Sequence, residues 1–107
     1  LPSTSQPERS LVLARALAES LGALLPDRIE VKPPNDLLVD GRKLAGVLIE
    51  QSVGAAVIGI GINVGPIDWD EELEGRAISL AEAGVQCDRL EVLELVLPAV
   101  VHAWSGE

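Results

Sequence analysis

Residues 37–51 read Leu37-Leu38-Val39-Asp40-Gly41-Arg42-Lys43-Leu44-Ala45-Gly46-Val47-Leu48-Ile49-Glu50-Gln51. Asp-Gly between two apolar runs is the strongest short hairpin signal, because the two-residue turn that matches strand twist needs positive φ at both central positions. The stretch predicts strands over 37–39 and 42–51 joined at Asp40-Gly41. In such a hairpin Val39 pairs with Arg42 and Leu38 with Lys43, so unbroken alternation sets Asp36, Leu38, Lys43, Ala45 and Val47 on one face. A lysine and a carboxylate then share a largely apolar surface. That lysine is either a hydrated strand residue or a cation held in a cleft for an anionic ligand, and pattern alone leaves both open.

Downstream, a turn over Ser52 to Gly54 leads into a partner strand from Ala55 to Val64, closed by Gly65-Pro66. Its period of two puts Ile58, Ile60, Ile62 and Val64 on one face and Gly59, Gly61 and Asn63 on the other. A bare stripe in a strand has two readings. It admits a ligand or another backbone beside the Asn63 amide, or it receives large side chains from a helix. No third glycine or following helix completes a dinucleotide fingerprint.

Upstream, Arg28 to Lys32 alternates as a half-buried strand ended by Pro33-Pro34, and Asn35-Asp36 has both turn chemistry and the makings of a pocket mouth. Ser5 and Glu8 have capping-box spacing, and Pro7 suits a first turn, so a helix is expected over Pro7 to Leu21. Its buried face is read as Leu11, Ala14, Leu17, Ala18 and Leu21. Residues 67–76 are acidic and aperiodic, a surface loop with Trp69 as its anchor; Glu71, Glu72 and Glu74 read as solvated rather than metal-binding. Ser79 caps a short turn through Gly84. Asp88 and Glu91 open a helix over Arg89 to Trp104, with Leu90, Leu93, Leu97 and Val101 as its apolar stripe and a kink or break near Leu97 caused by Pro98. His102 reads as an exposed residue near that helix's end, and Cys87 as a small packing or loop residue.

The chain has 107 residues, enough for one domain, and 48% of them are hydrophobic, enough for a packed core. Its only aromatic residues are Trp69 and Trp104, so aliphatic side chains must do the packing. A net charge of −9, with eight basic residues scattered among 17 acids, excludes a nucleic-acid surface but not a nucleotide ligand. The single cysteine forms no internal disulfide, and no apolar run is long enough to span a membrane, so a cytoplasmic protein is expected. The chain begins Leu1-Pro2 and lacks Met, which points to an excised or incomplete polypeptide.

Three segments in register, Lys32-Pro33-Pro34-Asn35-Asp36-Leu37-Leu38, Gly41-Arg42-Lys43-Leu44-Ala45-Gly46-Val47-Leu48-Ile49-Glu50 and Ile58-Gly59-Ile60-Gly61-Ile62-Asn63-Val64, resemble the consecutive motifs of bacterial biotin protein ligases. Ile78-Ser79-Leu80-Ala81-Glu82-Ala83-Gly84 and the helix from Asp88 are similar too, so the resemblance covers nearly the whole chain. It implies a class II aminoacyl-tRNA synthetase/biotin ligase-like α+β fold: a mixed, mostly antiparallel sheet with helices packed on one side. It also implies a single partial catalytic domain over residues 1–107. The activity implied is conversion of biotin and MgATP to biotinyl-AMP, followed by transfer to a lysine of the biotin carboxyl carrier domain of acetyl-CoA carboxylase. Lys43 would be the key lysine, between the biotin carboxylate and the α-phosphate. Gly46 would bring backbone against biotin, Asn35 and Asn63 would meet the nucleotide, and Lys32 and Asp36 would serve phosphate, magnesium or structure. Arg42, Gly59 and Gly61 complete the implied binding set.

Three departures follow from the comparison of motifs. Pro33 stands where the family usually has Trp, so that ring is lost or supplied elsewhere. The family's Gly-Arg-Gly-Arg loop has no match here, nor have the polar residues that meet the biotin ureido ring. Neither a C-terminal barrel-like domain nor an N-terminal DNA-binding domain is expected in this chain. Two other readings therefore stay open, an idle nucleotide-binding or dimerisation module of the same fold and a lipoate ligase relative, and a homodimer is compatible with each.

Overall fold

The structure, a computed structural model, describes residues 4–5 and 7–106. In chain order the elements are β1 (Thr4–Ser5), α1 (Pro7–Leu21), β2 (Ile29–Lys32), β3 (Asp36–Val39), β4 (Arg42–Ser52), β5 (Ala55–Ile62) and α2 (Arg89–Ser105). The side chain of Ser5, read as the cap of α1, lies outside the described residues.

All the strand pairings are antiparallel. The long β4 is the hub: β3 and β1 pair with it, β5 pairs with it from Ala45–Ile62 to Ser52–Ala55, and β2 extends the sheet beyond β3. The β3–β4 turn is as the sequence predicts, with Asp40 at φ +52° and Gly41 at φ +74°. Val39 faces Arg42 and Leu38 faces Lys43, as expected.

One sheet face carries the core. Leu37 and Val39 of β3, with Leu44, Ala45, Val47 and Ile49 of β4, are buried against Leu13, Ala14, Leu17 and Leu21 of α1. Ile58, Ile60 and Ile62 of β5 join them, half-buried, on the side the alternation predicts. The face of α1 is rotated slightly from its sequence reading, since Leu13 is buried whereas Leu11 is only half-buried. Ile78, Leu80 and Ala83, from the segment after the acidic loop, close one end of the core.

Helix α2 begins as predicted. Asp88 accepts the Glu91 amide at 2.8 Å, and Glu91 accepts the Asp88 amide in return. Gly106 ends it in the left-handed region at φ +76°. Of the kink or break expected near Leu97 the break is absent, since the helix is continuous through Pro98. The expected apolar stripe fails. The buried stripe of the helix is Val92, Val96 and Val100, whereas Leu90, Leu93, Leu97 and Val101 are exposed at 61%, 49%, 51% and 57%. Apolar residues lie on more than one side of α2, so two stripes compete, and the valine stripe is the one that joins the core.

No helix among the described residues is long and apolar enough to cross a membrane. Because the buried stripe of α2 is the valine one, Val96→Ala should cost about 1–3 kcal/mol by urea denaturation, from lost burial plus a cavity. The larger truncation Leu97→Ala should cost less than about 1 kcal/mol.

Candidate functional site

Regular alternation would put Lys43 on the same face as Ala45 and Val47. The structure inserts a bulge instead: Leu38 pairs with Lys43, but the next residue back, Leu37, pairs with Ala45, leaving Leu44 extra. Parity reverses across that extra residue. Ala45 and Val47 turn into the core, while Lys43 joins Asp36, Leu38, Gly46 and Leu48 on the other face. The expected sharing of a face thus holds for Asp36, Leu38 and Lys43 and fails for Ala45 and Val47.

A bulge leaves ladder groups unpaired, and a remote segment satisfies them here. The Lys43 N–H donates to the Arg76 carbonyl at 2.8 Å and the Ile78 N–H donates to the Lys43 carbonyl at 2.9 Å, forming a parallel bridge between Lys43 and Ala77. The Asn63 N–H donates to the Leu44 carbonyl at 3.0 Å. The Asn63 side-chain Nδ2 donates to the carbonyls of Lys43 at 3.3 Å and Ile78 at 3.1 Å. Asn63 is therefore a clasp across the bulge, and with both amide hydrogens engaged its Oδ1 is the polar atom left for a ligand.

The Lys43 amine lies 3.2 Å from Asp36 Oδ1, with the lysine side chain 52% and the aspartate side chain 27% exposed. Solvent screens a pair this open, so it orients the amine more than it stabilises the fold. Gly46 makes the geometry possible: a β-carbon there would come within 3.2 Å of both Lys43 Cε and Nζ. On the neighbouring strand, Gly61 would meet nothing within 4 Å and Gly59 only Leu48. Among the described residues no helix side chain reaches the glycine stripe.

These residues line a hollow of roughly 660 Å³, in the size range of small-molecule sites. Asn35, Asp36, Lys43, Gly46, Gly59, Gly61 and Asn63 all contribute to its surface. Two sequence-predicted residues do not. Lys32 is exposed opposite Asp36, on the same face but at the rim. Arg42 is paired with buried Val39, and so belongs to the opposite face from Lys43. Asp36 is the one acid of the lining, and no cluster of three or more potential metal ligands occurs among the described residues.

Sequence reading missed Trp69, Leu73 and Ala77, which form a further wall of the hollow. The acidic segment looked like a solvated loop, yet Trp69 Nε1 donates to Glu82 Oε1 at 2.8 Å. The available signal was the indole itself, one of two aromatic side chains in the chain. Ser79 caps the turn through Gly84 as expected, its Oγ accepting the Glu82 amide at 3.1 Å and its own amide donating to Glu82 Oε1 at 3.0 Å. The Trp69 hydrogen bond is the main cause that holds the Glu82 carboxyl below its ordinary range, against a weaker opposing effect of desolvation; Ser79 and the charge of Arg42 add to the lowering. Burial pushes the Cys87 thiol up, with Glu91 and Asp88 adding to it, which is the opposite of an activated nucleophile.

Residues 4–66 match the biotin/lipoate A/B protein ligase family. The bifunctional ligase/repressor BirA of Bacillus subtilis is 34% identical over 105 residues, covering 91% of this chain and 32% of the relative. A biotin–acetyl-CoA-carboxylase ligase of Paracoccus denitrificans is 37% identical over 109 residues, covering 92% of this chain and 45% of the relative. Among solved structures, biotin protein ligase from Aquifex aeolicus in complex with biotin and ATP superposes with a TM-score of 0.83 at 32% identity, over 96% of this chain and 48% of that one. The chain thus spans about a third to a half of the relatives it matches.

Two outcomes are expected of the site itself. Gly46→Ala should leave the chain folded but displace the Lys43 amine by a few tenths of an ångström in a crystal structure, whereas Gly61→Ala should leave it in place. A ¹³C NMR titration should put the Glu82 midpoint below 4.5, and Trp69→Phe, which removes the donor, should raise it. The sign is that of a depressed carboxylate: its stabilising contribution is present above the ordinary range and lost as pH falls through the folded value.

Proposed function

The chain belongs to the biotin/lipoate A/B protein ligase family, and from that premise we propose that the protein carrying it activates biotin with ATP and transfers it to a lysine of a carrier protein. The 107 residues are then part of one catalytic domain. The observation that carries the proposal is the Lys43 amine, held by Asp36 above side-chain-free Gly46 in a hollow that ends at Asn63.

In the first step a biotin carboxylate oxygen attacks the α-phosphorus of ATP, the bond to the β-phosphate bridging oxygen breaks, and pyrophosphate leaves. Negative charge gathers on oxygens from both substrates, and a fixed ammonium between them stabilises it more in the transition state than in the ground state. That is the role of Lys43. In the second step the neutral amine of the carrier lysine attacks the acyl carbon of biotinyl-AMP, the amide forms, AMP departs and the nitrogen gives up its proton to solvent. The carrier in this reading is the biotin carboxyl carrier domain of acetyl-CoA carboxylase, and the name of the Paracoccus relative, a biotin–acetyl-CoA-carboxylase ligase, supports it.

Gly46 leaves room for the Lys43 amine to lie close to the backbone, where it meets biotin, and the uncovered Gly59 and Gly61 leave room for the ligands. Asn35 and Asn63 serve the nucleotide, Asn63 through Oδ1, which accepts from the adenine amino group while its amide hydrogens stay on the bulge. Magnesium arrives with ATP as part of the substrate; a single carboxylate beside phosphates is the usual protein share for that ion, and Asp36 is the carboxylate at hand. Lys32, at the rim, is a phosphate partner, and Arg42 acts at most from outside the hollow.

Biotin-dependent exchange of pyrophosphate into ATP tests the assignment. Lys43→Ala should lower the exchange rate by about 10²–10³-fold with the fold intact. Near-normal exchange in that variant would remove the role given to Lys43. Exchange that depends on lipoate rather than biotin would transfer the chain to the other branch of its family.

A further inference from the structure

Trp69 belongs to the acidic segment between β5 and α2, yet its ring is half-buried and lines the hollow. A tryptophan on an exposed loop ordinarily samples several rotamers. Here one oxygen restricts it: Glu82 Oε1 accepts the indole N–H at 2.8 Å and the Ser79 amide at 3.0 Å. Glu82 is itself held by the reciprocal bond from its amide to Ser79 Oγ at 3.1 Å. Ser79 and Leu80 are fully buried, and the preceding Ile78 is bonded to the Lys43 carbonyl. The acceptor that holds Trp69 is thus built on the same ordered segment that completes the bulge under Lys43.

We propose that Glu82 is a positioning residue, which fastens the Trp69 indole as a preformed wall of the hollow and thereby sets the affinity for the small-molecule substrates. The inference rests on the reading that the hollow takes biotin and ATP. A wall already in place spares the ligand the cost of ordering that side chain, which corresponds to about a 2- to 10-fold gain in affinity. Trp69 carries no group that reacts, so the effect falls on KM and leaves kcat alone. Glutamate is suited to the task because a single carboxylate oxygen accepts two hydrogen bonds from different segments.

These 107 residues hold two tryptophans, so Trp104→Phe leaves Trp69 as their indole reporter. In that background Glu82→Ala should shift Trp69 emission to the red and raise its quenching by acrylamide. Glu82→Gln should restore both, since the amide oxygen still accepts. In biotin-dependent pyrophosphate exchange with Trp104 intact, Glu82→Ala should raise KM for ATP or biotin by about 2- to 10-fold at unchanged kcat. The rise should vanish when Trp69→Phe has already removed the indole N–H. Unchanged emission in Glu82→Ala overturns the proposal, as does a KM effect of the same size with Phe at position 69, because that would be a defect of the Ser79 turn alone. If the unmodified protein exchanges no pyrophosphate with biotin, the functional reading falls and the affinity half of the inference falls with it. The emission comparison still decides whether Glu82 holds Trp69.

Discussion

The structure turns on one extra residue in β4. Without the bulge at Leu44, a lysine three residues before a glycine would lie on the opposite face of the strand from it, and the amine would point toward the core side. With it, Lys43 crosses to the open face and its side chain folds over Gly46. The device requires that the freed backbone groups find partners, because unpaired amides and carbonyls at a buried edge are costly. Arg76, Ile78 and Asn63 supply those partners.

The other features of the site depend on that arrangement. The segment from Ala77 to Leu80 has to return to the hairpin to satisfy the bulge, and in returning it buries Ile78 and Leu80 and fixes the Ser79 turn. Glu82 then stands where it can reach Trp69. Core formation, bulge stabilisation and the shaping of the hollow are thus performed by one stretch of chain, and a change at Asn63 bears on the backbone of Lys43 and Ile78. Arg28 adds a further tie, donating to the Ala83 carbonyl at 2.7 Å and pairing with Asp40 at 3.1 Å across the hairpin turn.

Two faces of the molecule contrast in chemistry. The inner sheet face and the helices form an aliphatic core in which branched side chains take the place of the scarce aromatics. The hollow on the outer face carries glycines, the amides of Asn35 and Asn63 and the Lys43–Asp36 ion pair, so backbone is accessible and charge is placed rather than abundant. A chain with a net charge of −9 thus still presents a cation in the hollow.

The sequence alone determined the elements whose signals are local. Asp40-Gly41 specified the turn, alternation specified β5 and its bare stripe, and Ser79 and the pair Asp88–Glu91 specified two caps, because each depends on residues within a few positions of one another. Seven of the nine expected site residues line the hollow for the same reason: the motifs lie on adjacent strands joined by short turns. Only the tertiary structure decided the face of Lys43, the buried stripe of α2 and the place of Trp69. A bulge is chosen by partners more than 30 positions away, at Arg76 and Ile78. In α2 the valine and leucine stripes are equally periodic, and only packing into the core separates them. Trp69 is drawn to the hollow by a hydrogen bond to Glu82, 13 residues on, which no local pattern encodes.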